Sequence, residues 1–311
     1  MALNKMTRGE KGFQVFAVIS LTLLMIAAFY PLLYVVLASF SEPSRFISHS
    51  GILLKPLGFT LVAYERAFTH PLIMSGYGNT LFVLIIGTTL SVVLTSLGAY
   101  FLSRKNVLLK RPIAFLIVFT MFFSGGMIPF YFVVKNLGIY LPTIQSTGIV
   151  FKKFTMFNSL WALIFPTAIS SYNMIVLRSG FDGIPDSLEE SARIDGAGHM
   201  TILFKIVLPL SKASLAVIVL YYGVGIWNGW FNASIFIQDT NKYPLQLALR
   251  QILLINDTNA MTTGVDAGDQ LAISETIKYA IIVIATLPIL CVYPFLQKYF
   301  VKGIMVGAVK G

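Results

Sequence analysis

Six stretches of this chain contain no Asp, Glu, Lys or Arg, and they limit what it can fold into more than any other feature. They run 12–41, 67–103, 112–134, 154–177, 213–238 and 279–297, with lengths of 30, 37, 23, 24, 26 and 19 residues. A helix needs about 20 mostly apolar residues to cross the hydrocarbon core of a bilayer. The next longest window, 136–151, has 16 residues and holds Asn136, Gly138, Pro142, Gln145 and Ser146. It reads as a loop or a partly inserted segment. Pro31, Gly87, Pro129, Pro166 and Pro288 fall inside the long windows, where neighbouring helices can satisfy the backbone groups that such residues free. The expectation is an all-α membrane protein with six transmembrane helices at about 14–38, 78–102, 113–134, 155–177, 213–236 and 279–297. Residues 1–311 form one transmembrane domain on this reading, with no second domain, low-complexity linker or internal repeat.

Composition agrees. Only 12% of residues are charged and 56% are hydrophobic, against roughly 25% and 45–50% in globular domains. Disordered chains, disulfide-rich secreted folds and ordinary soluble enzymes are excluded. The net charge of +10 could suggest nucleic acid, but the basic residues are scattered between apolar stretches, which fits a membrane protein and no nucleic-acid partner. Cys291 is the single cysteine, so redox compartment is not informative.

Lysine and arginine set the expected orientation. With the N-terminus inside, the inner segments hold 14 of the 23 positive residues and the outer ones 9. The segment 104–111 decides it, with Arg104, Lys105, Lys110 and Arg111 in eight residues. The first window is too long for a signal-peptide core, and Lys5, Arg8 and Lys11 precede it, which fits an uncleaved first span. Both termini are then cytoplasmic, in the plasma (inner) membrane of a bacterium.

Catalytic signatures are missing from the sequence. The six windows carry no acidic residue, and His49, His70 and His199 have no metal-ligand spacing. There is no G-x-S-x-G elbow. No Gly-Lys dipeptide occurs, so a nucleotide-binding G-x-x-x-x-G-K-[ST] loop is impossible. The chain reads as a non-enzyme without its own ATPase site; if ATP powers it, another chain binds the ATP. Ion-coupled transporters usually carry ionisable groups inside their spans, which makes an ion- or proton-coupled secondary sugar transporter the alternative rather than the leading reading.

The most informative stretch lies between spans four and five, Phe181 to His199. It holds Asp182, Asp186, Glu189, Glu190 and Asp195, five of the six inner acidic residues. Its pattern predicts a short cytoplasmic helix with Asp186 as N-cap and Glu189 closing a capping box. Leu188, Ala192 and Ile194 supply a small apolar face. Gly196 ends the helix in the left-handed conformation, and a second helix starts near Thr201 and runs through Pro209. Small residues at Ser191, Ala192, Gly196 and Ala197 would let another protein approach closely.

The pattern Glu190-Ser-Ala-x-x-x-Gly196, nine residues, then Ile206-x-Leu208-Pro209 resembles the EAA motif of ABC importer permeases. Ser191 stands where that family usually has Ala. Phe123 to Pro129, Asn136-Leu-Gly138, Pro185, Ile194-Asp-Gly196, Trp227-Asn228 and the tail Val306 to Gly311 resemble the carbohydrate branch. The likeness is to the second permease of oligosaccharide and polysaccharide importers, related to the six-span maltose permease, and it covers roughly 70–311.

The resemblance implies a type I permease fold whose coupling helix, between helices 4 and 5, docks on an ATPase subunit. Glu189, Glu190, Ser191, Ala192, Asp195, Gly196, Ile206, Leu208 and Pro209 would form that contact, with Glu190 facing a basic residue of the ATPase. It implies a second homologous permease, two ATPase subunits that bind ATP and Mg, and an extracytoplasmic solute-binding protein that delivers carbohydrate. This chain would hold no cofactor or metal. In some relatives the permease C-terminus reaches between the ATPases, and 303–311 could do the same.

Sugars are commonly held by aromatic faces with amides and hydroxyls. Candidate pathway residues are therefore Asn79, Tyr131, Asn158, Tyr172, Asn173, Trp227 and Asn228, with Trp161, Tyr221, Tyr222, Trp230 and Asn232 beside them. An amide in lipid is costly unless it is hydrogen-bonded or lines a wet cavity. The Trp227 to Asn232 cluster has two readings: an interfacial aromatic belt or a sugar pathway. For Asn158, Tyr172 and Asn173 the choice is between the pathway and interhelical hydrogen bonding.

Overall fold

A computed structural model describes residues 7–105, 107–123, 125–145, 148–255 and 267–308. The described residues sort into two compact units. One contains the chain up to His70 with Gln251–Thr286; the other contains Pro71–Arg250 and the chain from Leu287 onward.

In the first unit, α1 (Arg8–Ser39) starts at a capping box. The Thr7 hydroxyl accepts from the Glu10 amide at 3.3 Å, and the Thr7 amide donates to the Glu10 carboxylate at 2.6 Å. The helix is apolar all round and its side chains are mostly exposed, as suits a surface that faces lipid. Two short helices follow, α2 (Pro43–Ile47) and α3 (Val62–Thr69). The Ser39 hydroxyl meets the Tyr64 hydroxyl at 2.8 Å, tying α1 to α3. Tyr34, Phe46 and Tyr279 pack as an aromatic triad, with ring centroids 5.3–6.2 Å apart.

The second unit is built on α4 (Pro71–Ser103). Its buried face is lined by small residues, among them Gly76, Thr80, Gly87, Ser91, Thr95 and Ala99, which lets neighbouring backbones come close. After it come α5 (Lys110–Phe122) and α6 (Met127–Asn136), then strands β1 (Gly138–Gln145) and β2 (Gly148–Thr155). A short helix, α7 (Trp161–Ile164), leads through a 3-10 turn to α8 (Ser171–Asp182). Next are α9 (Asp186–Ile194), α10 (His199–Ile202), a π-helical turn (Leu203–Val207) and α11 (Leu208–Leu210). The series continues with α12 (Lys212–Trp227), α13 (Phe231–Phe236) and α14 (Leu245–Ile255); α14 from Gln251 and the following α15 (Ala267–Ala308) as far as Thr286 belong to the first unit. Helices α8 and α12 pack on α4. Between them lies a core of Tyr100, Met174, Leu177, Phe181, Leu203 and Ile218.

Three described helices are long and apolar enough to cross a membrane, Gly9–Ser39, Pro71–Ser103 and Ala272–Val292, or five spans if each of two bent pairs counts as one. The structure departs from the expected spans at 113–134, 155–177 and 213–236, the last broken between the end of α12 at Trp227 and the start of α13 at Phe231. The span placed at 113–134 is the bent pair α5 and α6. The span placed at 155–177 is not one helix: Thr155 closes β2, Pro166 lies in the 3-10 turn, and α8 begins afresh at Ser171. Proline cannot donate the next helical bond, and the Ser170 hydroxyl accepts from the Asn173 amide at 3.3 Å as a new N-cap. The segment read as a loop or inserted piece at 136–151 falls largely in an antiparallel hairpin that pairs Gly138 with Thr155 and Gln145 with Gly148. Its β-branched residues Ile139, Thr143, Ile144, Ile149 and Val150 favour that state, and the hairpin interrupts the helical series between α6 and α7.

Candidate functional site

The acidic helix α9 carries the first set of candidates. It begins at Asp186 itself, with Pro185 as N-cap and no side-chain cap bond. The expected capping box is absent because both carboxylates are engaged elsewhere. Asp186 pairs with Lys105, and Glu189 pairs with Arg104 and, at 2.7 Å, with Arg193. The Lys105 ammonium, by its hydrogen bond and then its charge, holds the Asp186 carboxyl below the usual aspartate range, and Asp186 raises Lys105 in return. The Arg104 and Glu189 side chains are only 12% and 13% exposed, so this pair is shielded from water while the Lys105 pair is not.

Arg104 is held from several sides. Its Nε donates to the Ser103 hydroxyl at 3.0 Å, and its guanidinium lies 4.9 Å from the Tyr100 ring centroid. The Tyr100 hydroxyl reaches His199 Nδ1 at 3.4 Å, and Lys110 Nζ donates to the Arg104 carbonyl at 2.7 Å. Arg104 and Lys105, from a segment read in the sequence only as an orientation signal, therefore clamp the acidic helix to the end of α4.

The C-terminus of α9 is as expected. Gly196 has φ +82°. Its amide donates to the Arg193 carbonyl at 3.0 Å, and the Ala197 amide to the Ala192 carbonyl at 2.9 Å, the paired bonds of a Schellman motif. Glu190, Ser191, Ile194 and Asp195 lie on the exposed side of α9. Among the described residues, the Glu190 and Asp195 carboxylates have no ion-pair partner. Ala192 turns inward against the core. The second helix starts at His199 rather than Thr201, and Ile206, Leu208 and Pro209 lie at its far end. The π-helical turn just before Pro209 makes room for a ring that would otherwise press on the carbonyl four residues back. The run His199–Leu210 then meets α12 at 88°.

A cavity of about 290 Å³ between α4, α8 and α12 gathers four polar candidates, Asn173, Tyr221, Tyr222 and Asn232. It adds Thr80, Thr167 and Ser170, which the sequence did not single out because hydroxyls on helices usually bond their own backbone. The other candidates do not line it. Asn79 Nδ2 donates to the Asn241 and Tyr243 carbonyls at 2.8 and 3.1 Å. Asn158 adopts φ +57°, and its Oδ1 accepts from the Gln238 and Asp239 amides at 2.9 and 3.0 Å. Both asparagines thus fasten the 236–243 segment; for Asn158 the bonds run to non-helical Gln238 and Asp239 and are not interhelical. Tyr131 packs on Phe157 and Phe236. Tyr172 is exposed, 6.3 Å from the Tyr221 ring. Trp227 is 6% exposed and packs edge-on with Tyr77, so it is not part of an interfacial belt; Asn228 caps α12. Trp161 packs between Phe82 and Phe165, and Trp230 lies under the Arg250 guanidinium at 3.6 Å.

Residues 91–306 match the family described as binding-protein-dependent transport system inner membrane component. The chain belongs to this family. The match includes α9, α12 and most of α15. Among curated relatives, the polygalacturonan/rhamnogalacturonan transport system permease protein YtcP of Bacillus subtilis is 43% identical over 90% of this chain and 92% of its own. Protein LplC of the same organism is 40% identical over 90% and 89%. Among solved structures, a chain from a bacterial ABC transporter involved in the import of the acidic polysaccharide alginate is 30% identical, with a TM-score of 0.82 over 95% of this chain and 99% of that one. Family and fold make this an ABC-type permease, a transport subunit that works with a substrate-binding protein. They do not favour the ion-coupled alternative.

Proposed function

We propose that this chain is the membrane-spanning subunit of an ATP-driven importer that moves an oligosaccharide delivered by an extracytoplasmic binding protein. The observation that carries the proposal is the exposed end of α9: Glu190 and Asp195 stand clear of the ion pairs that hold the rest of the helix, within a chain of the permease family. On this reading α9 is the coupling helix, ATP and Mg belong to two partner ATPase subunits, and a second homologous permease completes the pathway. The two units form one permease domain with six membrane crossings and both termini in the cytoplasm. Closure of the ATPase pair draws the coupling helices together and rocks the permeases between inward-open and outward-open states, each ligand acting through its differential contacts with the two states. Of the tail, 309–311 lie outside the described residues, and a role for 303–311 between the ATPases is part of the same proposal.

Affinity purification from the native host, with mass spectrometry of co-purifying chains, tests it. Wild type is expected to bring down a second permease and an ATPase. Glu190→Arg is expected to keep the permease and lose the ATPase. Recovery of a lone chain that transports sugar without ATP would overturn the proposal.

A further inference from the structure

The cavity between α4, α8 and α12 is mostly apolar and uncharged, with a few polar groups set into its wall. None of its lining residues is Asp, Glu, Lys, Arg or His. Most of its polar groups are already occupied. The Tyr222 hydroxyl pairs with Thr95 at 2.7 Å and accepts from the Ser170 amide at 2.9 Å. Thr167 donates to the Leu163 carbonyl at 2.8 Å, and Thr80 accepts from the Leu245 amide at 2.8 Å. Asn173 differs. It is 6% exposed, its backbone amide donates to the Ser170 hydroxyl, and its side-chain amide has no hydrogen-bond partner among the described residues. An amide that opens onto a cavity with no protein partner is left to water or to a ligand. Such an amide has both donors and an acceptor, which suits the hydroxyls of a sugar ring. Asn232 brings a second amide, and Tyr221, 41% exposed, offers an aromatic face. The volume of about 290 Å³ lies at the small end of ligand sites and suits a single ring.

We infer that this cavity is a subsite for one uncharged pyranose unit of the transported carbohydrate, held by the Asn173 and Asn232 amides against Tyr221, and that it excludes uronate units. The inference rests on the permease reading above. A uronate carboxylate placed here would meet no cation from this chain's lining. The N-terminus of α8 faces the cavity through Ser170 and Asn173, but their two amides are already bonded. A helix end favours an anion by up to about thirtyfold, whereas an uncompensated buried charge is disfavoured by roughly a thousandfold or more. The balance therefore favours a neutral ring, in a chain whose relatives include permeases named for acidic polysaccharides.

The test uses the complex co-purified with its partner subunits and binding protein, reconstituted in liposomes. The probes are maltotriose and galactotriose as neutral trisaccharides, and trigalacturonate as the acidic one. ATP-driven uptake of a neutral probe over trigalacturonate is expected, with half-saturation raised about tenfold in Asn173→Leu and unchanged in His49→Ala. Where Asn173→Leu fails to assemble with its partners, Asn232→Leu carries the same expectation. Preferred uptake of trigalacturonate, or neutral uptake indifferent to the assembled variant, would overturn the subsite while leaving the permease reading intact. No ATP-driven uptake of any probe would overturn both.

Discussion

The two ion pairs between the 104–105 segment and α9 look alike in a list of contacts, but water separates them. Removing one partner from a shielded pair strands the other charge. Glu189→Ala or Arg104→Ala should therefore destabilise the protein by about 2–3 kcal/mol, read as a lowered Tm of the detergent-purified complex. The swap Arg104→Glu with Glu189→Arg should restore much of the loss, and a swap no better than the worse single variant would sink the assignment. The Lys105–Asp186 pair is open to solvent, so Asp186→Asn should hardly move Tm. Its pH behaviour follows from the shifts. The Asp186 carboxyl is held down by Lys105, so its contribution is present above the ordinary aspartate value of about 3.9 and fades as pH falls through the lower folded value. Lys105 is raised, so its contribution is complete below about pH 10.4 and fades as pH rises through the higher folded value. Carboxyl NMR should place the Asp186 midpoint below the ordinary value, and Lys105→Gln should return it upward. At this scale the sequence shows which residues are acidic but not which of them are engaged. Glu189 and Glu190 are neighbours in sequence, and only the turn of α9 sends one to Arg104 and leaves the other free.

At the scale of elements, the charge-free windows report transfer between water and lipid, which is blind to whether a helix is continuous. Most of the window 67–103 is one helix, α4, because nothing interrupts the backbone ladder from Pro71 to Ser103; its first residues close α3 at Thr69. The window 154–177 is equally apolar, yet Pro166 and the Ser170 cap divide it. The hairpin 138–155 escaped because its first strand runs through a window too short to span and its second crosses the charged Lys152 and Lys153. The acidic helix and its Gly196 stop were legible because capping chemistry is local; the cavity was not, because it depends on how α4, α8 and α12 pack. That packing makes its own prediction. A methyl group added at Gly180 on α8 would sit 2.4 Å from the Ser214 hydroxyl and 2.7 Å from its Cβ on α12. Gly180→Ala should cost about 1–3 kcal/mol by overpacking, measured as a Tm drop. Ser214→Gly in the same chain should relieve it, since the clash includes the Ser214 Cβ, which Ser214→Ala retains. Relief by Ser214→Ala alone would show that the helices can shift apart and that the close approach is not fixed.

For the whole molecule, the remaining question is which side of the membrane each loop occupies, and the answer decides whether α9 can meet an ATPase at all. The sequence argument rests on 14 basic residues against 9 and on four of them in 104–111. Structure adds a physical link: Arg104 and Lys105 pair with Glu189 and Asp186, so residues 104–105 and α9 lie on one side whichever side it is. Two independent features, the positive segment and the motif helix, therefore share one fate. Because Cys291 is the single cysteine, Cys291→Ser gives a background free of thiols for a direct reading. In that background Ser187→Cys, exposed on α9, should react with a membrane-impermeant maleimide only after the cells are permeabilised. His49→Cys, exposed after α2, should react in intact cells. Ser187→Cys labelled from outside would place the acidic helix away from any cytoplasmic ATPase. The positive-inside count and the coupling assignment would then fail together, because the ion pairs do not let one side be reassigned without the other.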